Sequence, residues 1–398
     1  MSRVQSTFWM AALTVACVAT PALADNTQAE IRRLQEQINS LKAATASESA
    51  RRLSLPSLAV FGKVSVDAIY DDRNAGLDEL LIPSTIPTGD NDQQNFVLHG
   101  KNSQLGVRVG EKNGPHMVFA ADLFGSIDRY ELRIRDFYFK QGGFQAGYGF
   151  TKLLDGAAWP LTLDAQGPNS AIFARQAGVS WQGDNVFVAV EDPNSEVYDP
   201  QNLSSAAGRR PDVIVGWQQA MSAGHVRLGM VSREIGVEFA NGDQEFAQAG
   251  GAVLSGSLSA AENVRLLASA SAGKGFAHYY NDLSGFGDGG MDGYVFADGL
   301  EALETAGGYL GAEWQMAQDW TLASVAGQID IESDDRLPDE AMRRTRYGTL
   351  SLVYQHTPRL SYGAEASYGM RDNQAGKRAE VPRVQLNFTY RFLHENRN

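Results

Sequence analysis

Residues 383–392 read Arg383-Val384-Gln385-Leu386-Asn387-Phe388-Thr389-Tyr390-Arg391-Phe392, and apolar and polar side chains alternate through the whole stretch. Successive side chains of a β-strand point to opposite faces of the sheet. One face of this strand is therefore apolar and the other polar and basic. The same period of two recurs in residues 58–70, 144–151, 264–271 and 360–368. The sequence thus predicts a sheet built from many two-faced strands.

The connectors between these strands alternate in length. Tight turns such as 140–143 separate five long polar connectors, which cover residues 71–95, 151–174, 192–211, 274–304 and 330–346. Outer-membrane β-barrels have this pattern, with short turns at one end, long loops at the other and aromatic residues near the strand ends. The aromatic residues in such positions are Tyr70, Tyr138, Trp181, Trp217, Trp314, Trp320, Tyr354, Tyr368 and Tyr390. We predict an all-β fold, a transmembrane antiparallel barrel of about 16 strands.

The first residues have the features of an export signal. Arg3 precedes the apolar residues 8–20, and Ala22-Leu23-Ala24 is a small-x-small cleavage site. We therefore expect residues 1–24 to be a signal peptide and the protein to be placed in the bacterial outer membrane. The single cysteine, Cys17, lies inside this segment, so disulfides and thiolate metal sites are excluded after cleavage. The net charge of −13 also argues against nucleic-acid binding.

Residues 25–50 have a different period. Ile31, Leu34, Ile38 and Leu41 are spaced as in a coiled-coil seam, which predicts a short periplasmic coiled-coil helix. A frayed helical tail is the alternative, because a helix this short is marginal in water by itself. We assign residues 51–57 to a linker, 58–392 to the barrel and 393–398 to a C-terminal extension.

Three stretches of the chain resemble the DcaP-like trimeric porins. They are Lys-Asn-Ser-Gln-Leu-Gly at 101–106 on the predicted second strand, Leu-Arg-Ile-Arg-Asp-Phe-Tyr at 132–138 on the predicted fourth strand, and Asp-Ala-Gln-Gly-Pro-Asn followed by Arg-Gln within 163–176. The order of signal, short coiled coil and barrel is also similar. The resemblance implies a homotrimer of sixteen-stranded barrels that admits small anions, notably dicarboxylates. Phosphate-selective porins are a more distant match. Coiled-coil rules alone leave a dimer open, because Ile at a and Leu at d favour two strands.

Residues 151–174 form the third long-side connector, which in sixteen-stranded porins folds into the barrel and narrows it. Asp164, Gly167, Pro168 and Asn169 are the candidate residues of this constriction loop. The Gly-Pro-Asn sequence is a turn signal and suits a fixed insert. A loop packed outside, or against a neighbouring subunit, is the alternative.

Strand phase places more basic than acidic side chains inside the barrel. Rings of arginine favour anions, because their fixed field offsets the lost hydration of the ion. The inward-facing acids are Asp67, Asp122, Glu131, Glu191, Glu313 and Glu365. The inward-facing basic residues include Arg233, Arg383 and Arg391. Arginines that pair with Glu131, Asp122 or Asp164 and brace the wall are the alternative. We select as candidate substrate-path residues Lys63, Arg108, Arg133, Arg135, Arg175, Arg227 and Arg265.

The sequence therefore predicts a passive outer-membrane channel for small anionic solutes such as dicarboxylates. A general or phosphate-selective porin, or an envelope tether acting through the N-terminal helix, remains open. The histidines lack metal-ligand spacing and no nucleophile or phosphate-loop motif occurs, so we expect no enzyme, cofactor or metal. The expected partners are outer-membrane lipid and lipopolysaccharide, further copies of the chain and small anions, with no nucleic acid. The acidic loop tips are either solvated or hold divalent cations against lipopolysaccharide phosphates.

Overall fold

The computed structural model describes residues 29–45, except 31, and residues 57–396, except 202–203, 286 and 288–290. These two parts belong to separate compact units, a leader and a barrel. The signal peptide, its cleavage site and residues 46–56 of the predicted leader and linker lie outside the described residues. Within the leader, residues 32–45 are helical, and Leu34, Ile38 and Leu41 are exposed. None of the helices in the described part of the chain is long and apolar enough to cross a bilayer.

Sixteen antiparallel strands form the wall of the barrel, as the sequence predicts. Each long strand pairs with its neighbours in the chain. In chain order they are β1 (Leu58–Asp71), β2 (Asn95–His99, continued by Gln104–Gly110), β3 (His116–Asp122), β4 (Arg133–Gln141), β5 (Phe144–Phe150), β6 (Arg175–Gln182), β7 (Val186–Glu191), β8 (Asp212–Met221), β9 (Gly224–Phe239), β10 (Gln244–Ala261), β11 (Val264–Lys274), β12 (Glu304–Ala317), β13 (Trp320–Ile331), β14 (Met342–Gln355), β15 (Leu360–Asn373) and β16 (Arg378–Asn396).

Shorter elements belong to the long loops. Ser204–Ala206 pairs with the upper part of β9, and a three-stranded sheet joins Val197–Tyr198, Gly293–Phe296 and Gly299–Ala302. Single 3-10 turns occur at Pro83–Thr85, Gly156–Ala158 and Ala277–Tyr279.

The barrel closes between its first and last strands. β1 and β16 pair over their full common length, from Leu58 opposite Asn396 to Asp71 opposite Arg383. β16 therefore continues past Phe392, where the sequence places the end of the barrel, and residues 393–396 belong to the strand. They do so because β1 begins at Leu58 and supplies hydrogen-bonding partners for them.

The two faces of the wall differ in the way that the alternation predicts. Val64, Val66 and Tyr70 of β1 are exposed, whereas Ser65 and Asp67 between them are buried inside. On β16 the exposed Val384, Leu386, Phe388 and Tyr390 alternate with the buried Arg383, Gln385 and Thr389. The outer face is thus apolar and the inner face polar, the arrangement of a barrel that stands in lipid.

The aromatic residues follow the predicted girdle, with one correction. Trp181, Trp217, Trp314 and Trp320 are exposed near the short-turn end. Tyr138, however, lies between the exposed Phe137 and Phe139 and faces inward. A β-bulge is the cause. Ala121 pairs with Ile134 and Ala120 pairs with Asp136, so Arg135 has no strand-pairing partner on β3. This extra residue shifts the inward and outward alternation of the rest of β4 by one position.

The wall is low on one side and tall on the other. β3 to β7 contain only six to nine residues each, whereas β12 to β16 contain twelve to nineteen. A transmembrane β-strand needs about 9–11 residues. Most strands of the low side are therefore shorter than a bilayer requires, although their outer face carries the exposed Met117, Phe119 and Phe137.

Three long loops fill the barrel at the opposite end from the tight turns. We call them loop 1 (residues 72–94), loop 3 (151–174) and loop 6 (275–303). Tyr279, Tyr280 and Leu283 of loop 6 are fully buried with Ile172 of loop 3 in one cluster. Leu81 and Ile86 of loop 1 pack with wall residues Tyr309 and Tyr347 in a second cluster. The core of this protein thus lies inside the barrel, between its loops and its wall.

A buried ion pair joins the seam of the barrel to loop 1. Arg383 donates to the Asp71 carboxylate at 2.6 and 2.8 Å and to the carbonyls of Leu77 and Asp78 at 3.0 and 3.2 Å. Both charged side chains are excluded from solvent.

Replacing Arg383 with alanine is expected to lower the free energy of unfolding by about 3–5 kcal/mol, because it leaves a buried carboxylate without its partner. Urea unfolding in lipid vesicles, followed by tryptophan fluorescence, measures this change. Arg391→Ala on the same strand is the control, because Arg391 is exposed and should cost less than about 1 kcal/mol. Equal losses in the two variants would contradict the role of the pair.

Candidate functional site

Loop 3 runs through the interior of the barrel. The Asp155 carboxylate contacts His225 Nε2 and Ser255 Oγ on the wall, both at 2.7 Å. Further along, the amides of Leu161 and Leu163 donate to the carboxylates of Glu313 and Glu365 at 2.9 and 2.6 Å. The loop therefore crosses the lumen along strands β9 to β15 and is not packed outside.

Glycines on the inner wall leave room for this loop. A Cβ at Gly363 would lie 2.7 Å from the side chain of Leu163, and one at Gly327 would lie 2.6 Å from Asn169 Oδ1. Real Cβ atoms do not approach so closely, so a larger residue at either position would displace these side chains of loop 3. The fit holds the loop in one place, as a preorganised site requires.

The predicted turn in loop 3 is present at Gly167. Its φ of 77° is in the left-handed region that favours glycine, and Trp159 packs over it. The amide of Ala171 then donates to the carbonyl of Pro168 at 3.1 Å. The buried Asn169 donates to Thr345 Oγ1 on the wall at 2.9 Å. These candidate residues shape and anchor the loop.

Two buried carboxylates join the three loops. Asp164 of loop 3 accepts from the amides of Leu81 and Gln166, each at 2.9 Å. Asp282 of loop 6 accepts from the amide of Ser84 at 2.9 Å and from Thr345 Oγ1 at 2.5 Å. Loop 1 is thus held to both other loops through its own backbone.

Burial raises the pKa of both carboxyl groups. It brings the pKa of Asp164 to about 7, an effect opposed by the charge of Arg383 and increased by that of Glu365. It brings the pKa of Asp282 to about 6, against hydrogen bonds from Thr345 and Ser84. The two groups that hold the loops together therefore change charge near neutral pH.

A cavity of ≈540 Å³ remains between loop 3 and the low side of the wall. Lys63, Asn102, Gln104 and Arg135 line it from the wall. Its remaining lining consists of Glu313, Phe150 and residues of loop 3, namely Leu154, Gly156, Trp159, Pro160, Leu161, Thr162, Leu163, Asp164, Ala165 and Phe173. The alternation placed Phe150 on the outer face, but it ends β5 where the chain turns into loop 3, and there it borders the cavity.

The basic residues of the cavity are held from the wall. Lys63 Nζ donates to Asn102 Oδ1 at 2.8 Å. Arg133 and Arg135 both donate to the Asp122 carboxylate, at 2.7 Å and 2.6 Å respectively. Two guanidinium groups share one carboxylate, so this trio keeps a net positive charge beside Lys63.

Two other predicted path residues fasten loop 3 to the wall. Arg227 donates to the carbonyl of Lys152 at 2.6 Å, and Arg265 donates to the carbonyl of Ala157. Arg265 also pairs with Glu313 at 3.4 Å. The bracing role that the sequence left open therefore applies to both arginines.

The remaining basic residues are placed differently. Arg175 lies over the rings of Phe150 and Phe173, with its guanidinium carbon 3.6 and 4.9 Å from their centroids, and these rings line the cavity. Arg108 of β2 stands opposite Ala59 of β1 in the strand pairing, towards the short-turn end of the barrel. Arg233, which was counted as basic lining, is fully buried between Asp212 and Asp292 at 3.2 and 3.3 Å. Arg233 and Arg383 are thus neutralised by their partners.

The sequence missed one part of the cavity. β2 is interrupted at residues 100–103, where the amide of Ser103 donates to the carbonyl of Gly100. This turn brings Asn102 to Lys63, whereas the sequence places residues 101–106 in a continuous strand. The Gly100 immediately before it was the available signal, since glycine inside a strand often marks a bulge. Among the described residues, no group of three His, Cys, Asp or Glu side chains is placed to hold a metal.

A closed sixteen-stranded barrel with a loop folded into its lumen is a porin-like fold. The sequence matches no protein-family model and no curated protein. Among solved structures, the outer membrane channel DcaP of Acinetobacter baumannii is similar, with a TM-score of 0.74 and 18% identity over 85% of this chain and 98% of that one. The predicted resemblance to DcaP-like porins is thereby confirmed in the fold.

Two further structures share the architecture more loosely. An anion-selective porin from Comamonas acidovorans has a TM-score of 0.52 and 13% identity over 85% of this chain and all of that one. A loop-deletion mutant of OmpT, an outer membrane protein of Vibrio cholerae, has a TM-score of 0.51 and 9% identity over the same shares.

The packing of loop 1 is expected to loosen as the pH rises. The raised pKa values mean that the folded loops bind protons more tightly than the unfolded chain, whose aspartates ionise near pH 4. The resulting stabilisation is complete below that pH and is lost as the pH rises through about 6 for Asp282 and 7 for Asp164. Hydrogen exchange in residues 77–86, corrected for intrinsic rates, should be slower at pH 5.5 than at pH 8.

The double variant Asp164→Asn, Asp282→Asn should lose most of this pH dependence, because neither amide titrates. Asp90→Asn is the matched control, since Asp90 is an exposed aspartate of the same loop. An unchanged pH dependence in the double variant would show that other groups control the loop.

Proposed function

We propose that this protein is a passive outer-membrane porin for small organic anions. The observation that carries the proposal is the net positive charge that Lys63 and the Arg133–Arg135–Asp122 trio place beside the cavity. A fixed positive field compensates an anion for lost hydration. The name of the anion-selective porin from Comamonas acidovorans, which shares the architecture, is consistent with this. Dicarboxylates are the solutes that the resemblance to DcaP-like porins implies.

The surroundings of the acidic side chains also favour selectivity for anions. Glu313 is engaged by Arg265 and by the amide of Leu161, and the raised pKa of Asp164 reduces the negative charge of that group near neutral pH. By contrast, Lys63 contacts a neutral amide. The acids of the cavity therefore carry less uncompensated charge than its bases, and an entering anion meets a net positive charge.

Anion selectivity is tested by the zero-current potential across a planar bilayer under a salt gradient. The double variant Lys63→Gln, Arg135→Gln should lower the anion-to-cation permeability ratio by about twofold or more. A unit charge about 8 Å from the path in a water-like dielectric contributes about 0.5 kcal/mol, which corresponds to this factor.

Arg336→Gln is the control for charge alone. Arg336 lies in an outer connector and pairs with Glu301 and Asp334, away from the cavity. A cation-selective wild-type channel would refute the proposed function. An unchanged ratio in the double variant would remove Lys63 and Arg135 from the path.

We further propose that the protein works as a homotrimer, with lipid and lipopolysaccharide around the tall side of the wall. The low side supports this, because its strands are mostly too short for a bilayer and yet expose Met117, Phe119 and Phe137. Contact with other copies would cover these side chains. The exposed seam of Leu34, Ile38 and Leu41 on the leader also suits association with other helices.

Replacing Phe137 with glutamine is expected to weaken assembly, because it puts a polar group into the proposed interface. Native mass spectrometry in detergent should show trimers for the wild type and a shift to monomers for the variant. Leu310→Gln is the control, since Leu310 is as exposed on the tall side and should leave the trimer intact. A wild-type monomer, or equal effects of the two changes, would contradict the interface.

A further inference from the structure

The cavity has two chemically different sides. Its wall side presents Lys63, Asn102, Gln104 and Arg135, whose ends are all polar. Its loop side presents Trp159, Leu161, Leu163 and Phe173, and Phe150 completes this surface from the end of β5. A solute that passes between them meets hydrogen-bond donors on one flank and an apolar surface on the other.

The apolar side is fixed in place. The amides of Leu161 and Leu163 are bound to Glu313 and Glu365, and Leu163 fits against Gly363. The rings of Trp159 and Phe173 lie 5.0 Å apart, and those of Phe150 and Phe173 lie 4.9 Å apart in an edge-to-face arrangement. A preformed apolar surface costs little ordering entropy when a solute contacts it.

Among the described residues that line the cavity, none on this side offers a cation to a second negative charge, because Arg175 lies over the rings of Phe150 and Phe173 without lining the cavity and Arg265 is paired with Glu313. The ionisable side chains that border the loop flank are the acids Asp164 and Glu313. When Lys63 and Arg135 together hold one carboxylate, the second carboxylate of a dicarboxylate faces these acids or the apolar rings. An apolar body placed there would instead lose water-exposed surface on both partners, which is favourable.

We infer that the cavity prefers monoanions with an apolar or aromatic body, such as aromatic monocarboxylates, over aliphatic dicarboxylates. This inference rests on the proposed anion channel and departs from the dicarboxylates that the resemblance implies. Lys63 and Arg135 hold the carboxylate, and the loop surface holds the ring. The cavity of ≈540 Å³ accommodates a one-ring acid together with water.

The experiment measures how added benzoate, succinate and glycerate reduce the chloride current of single channels in a planar bilayer. Benzoate should reduce the current at concentrations about fivefold lower than succinate or the hydrophilic monoanion glycerate, since the ring buries apolar surface that the other two lack. Equal or stronger effects of succinate would overturn the inference. The proposed function would survive that result if the zero-current potential in chloride still shows anion selectivity.

Leu161→Asn tests the loop side, because asparagine keeps the size and the backbone amide but removes the apolar surface. It should weaken the effect of benzoate about fivefold and leave that of succinate unchanged. Lys63→Gln should weaken both. Equal weakening of both solutes in Leu161→Asn would overturn the inference. If that variant does not fold, as judged by heat-modifiable mobility on gels, Leu163→Asn replaces it with the same two outcomes.

Discussion

Inside a bilayer, the backbone has no water with which to form hydrogen bonds, so each N–H and C=O group of the wall must pair with a neighbouring strand. A sheet meets this requirement without an open edge only by closing on itself. In this protein the closure is the pairing of β1 with β16 along their whole common length. Closure gives every strand one face towards lipid and one towards the lumen. The alternation of apolar and polar residues along each strand follows from this.

The same constraint explains why the polar groups of the wall lie inside the barrel. The outer face must be apolar, so the polar groups that give the chain a negative mean hydropathy are confined to the lumen and the loops. Loops 1, 3 and 6 enter the barrel and bury their own apolar residues against it. Where a loop is held by arginines of the wall, those arginines are no longer free to act on a solute. Arg227 and Arg265 illustrate this, whereas Lys63 remains directed at the cavity.

Alternation predicted the barrel and the facing of most side chains from the sequence, because a closed wall permits no other pattern. It placed Ser65, Asp67, Arg383 and Gln385 inside, and they are inside. It failed at Tyr138, because an extra residue at Arg135 shifts the phase, and at residues 100–103, where the strand is interrupted. A bulge depends on which neighbouring residues pair, and one strand read alone does not contain that information.

The partners of the charged side chains were equally hard to predict. Arg133 and Arg135 are two residues apart in the sequence, but their common bond to Asp122 depends on the register between β3 and β4. The sequence predicts Arg175 as a path residue but not its position over two aromatic rings, one of which belongs to loop 3. Long-range contacts of a folded loop have no short sequence signature, so the loop's path could be expected while its contacts could not.

The division of the cavity between wall and loop separates two properties of a channel. The wall charges Lys63 and Arg135 stand on strands whose register is fixed by closure, so the fold sets the positions of these charges. The loop surface at Leu161 and Leu163 is attached mainly through backbone amides, which any residue except proline can supply. Side chains there can change without loss of these bonds. The preferred body of the solute can therefore vary independently of the preferred charge, and a resemblance in fold alone does not fix the solute.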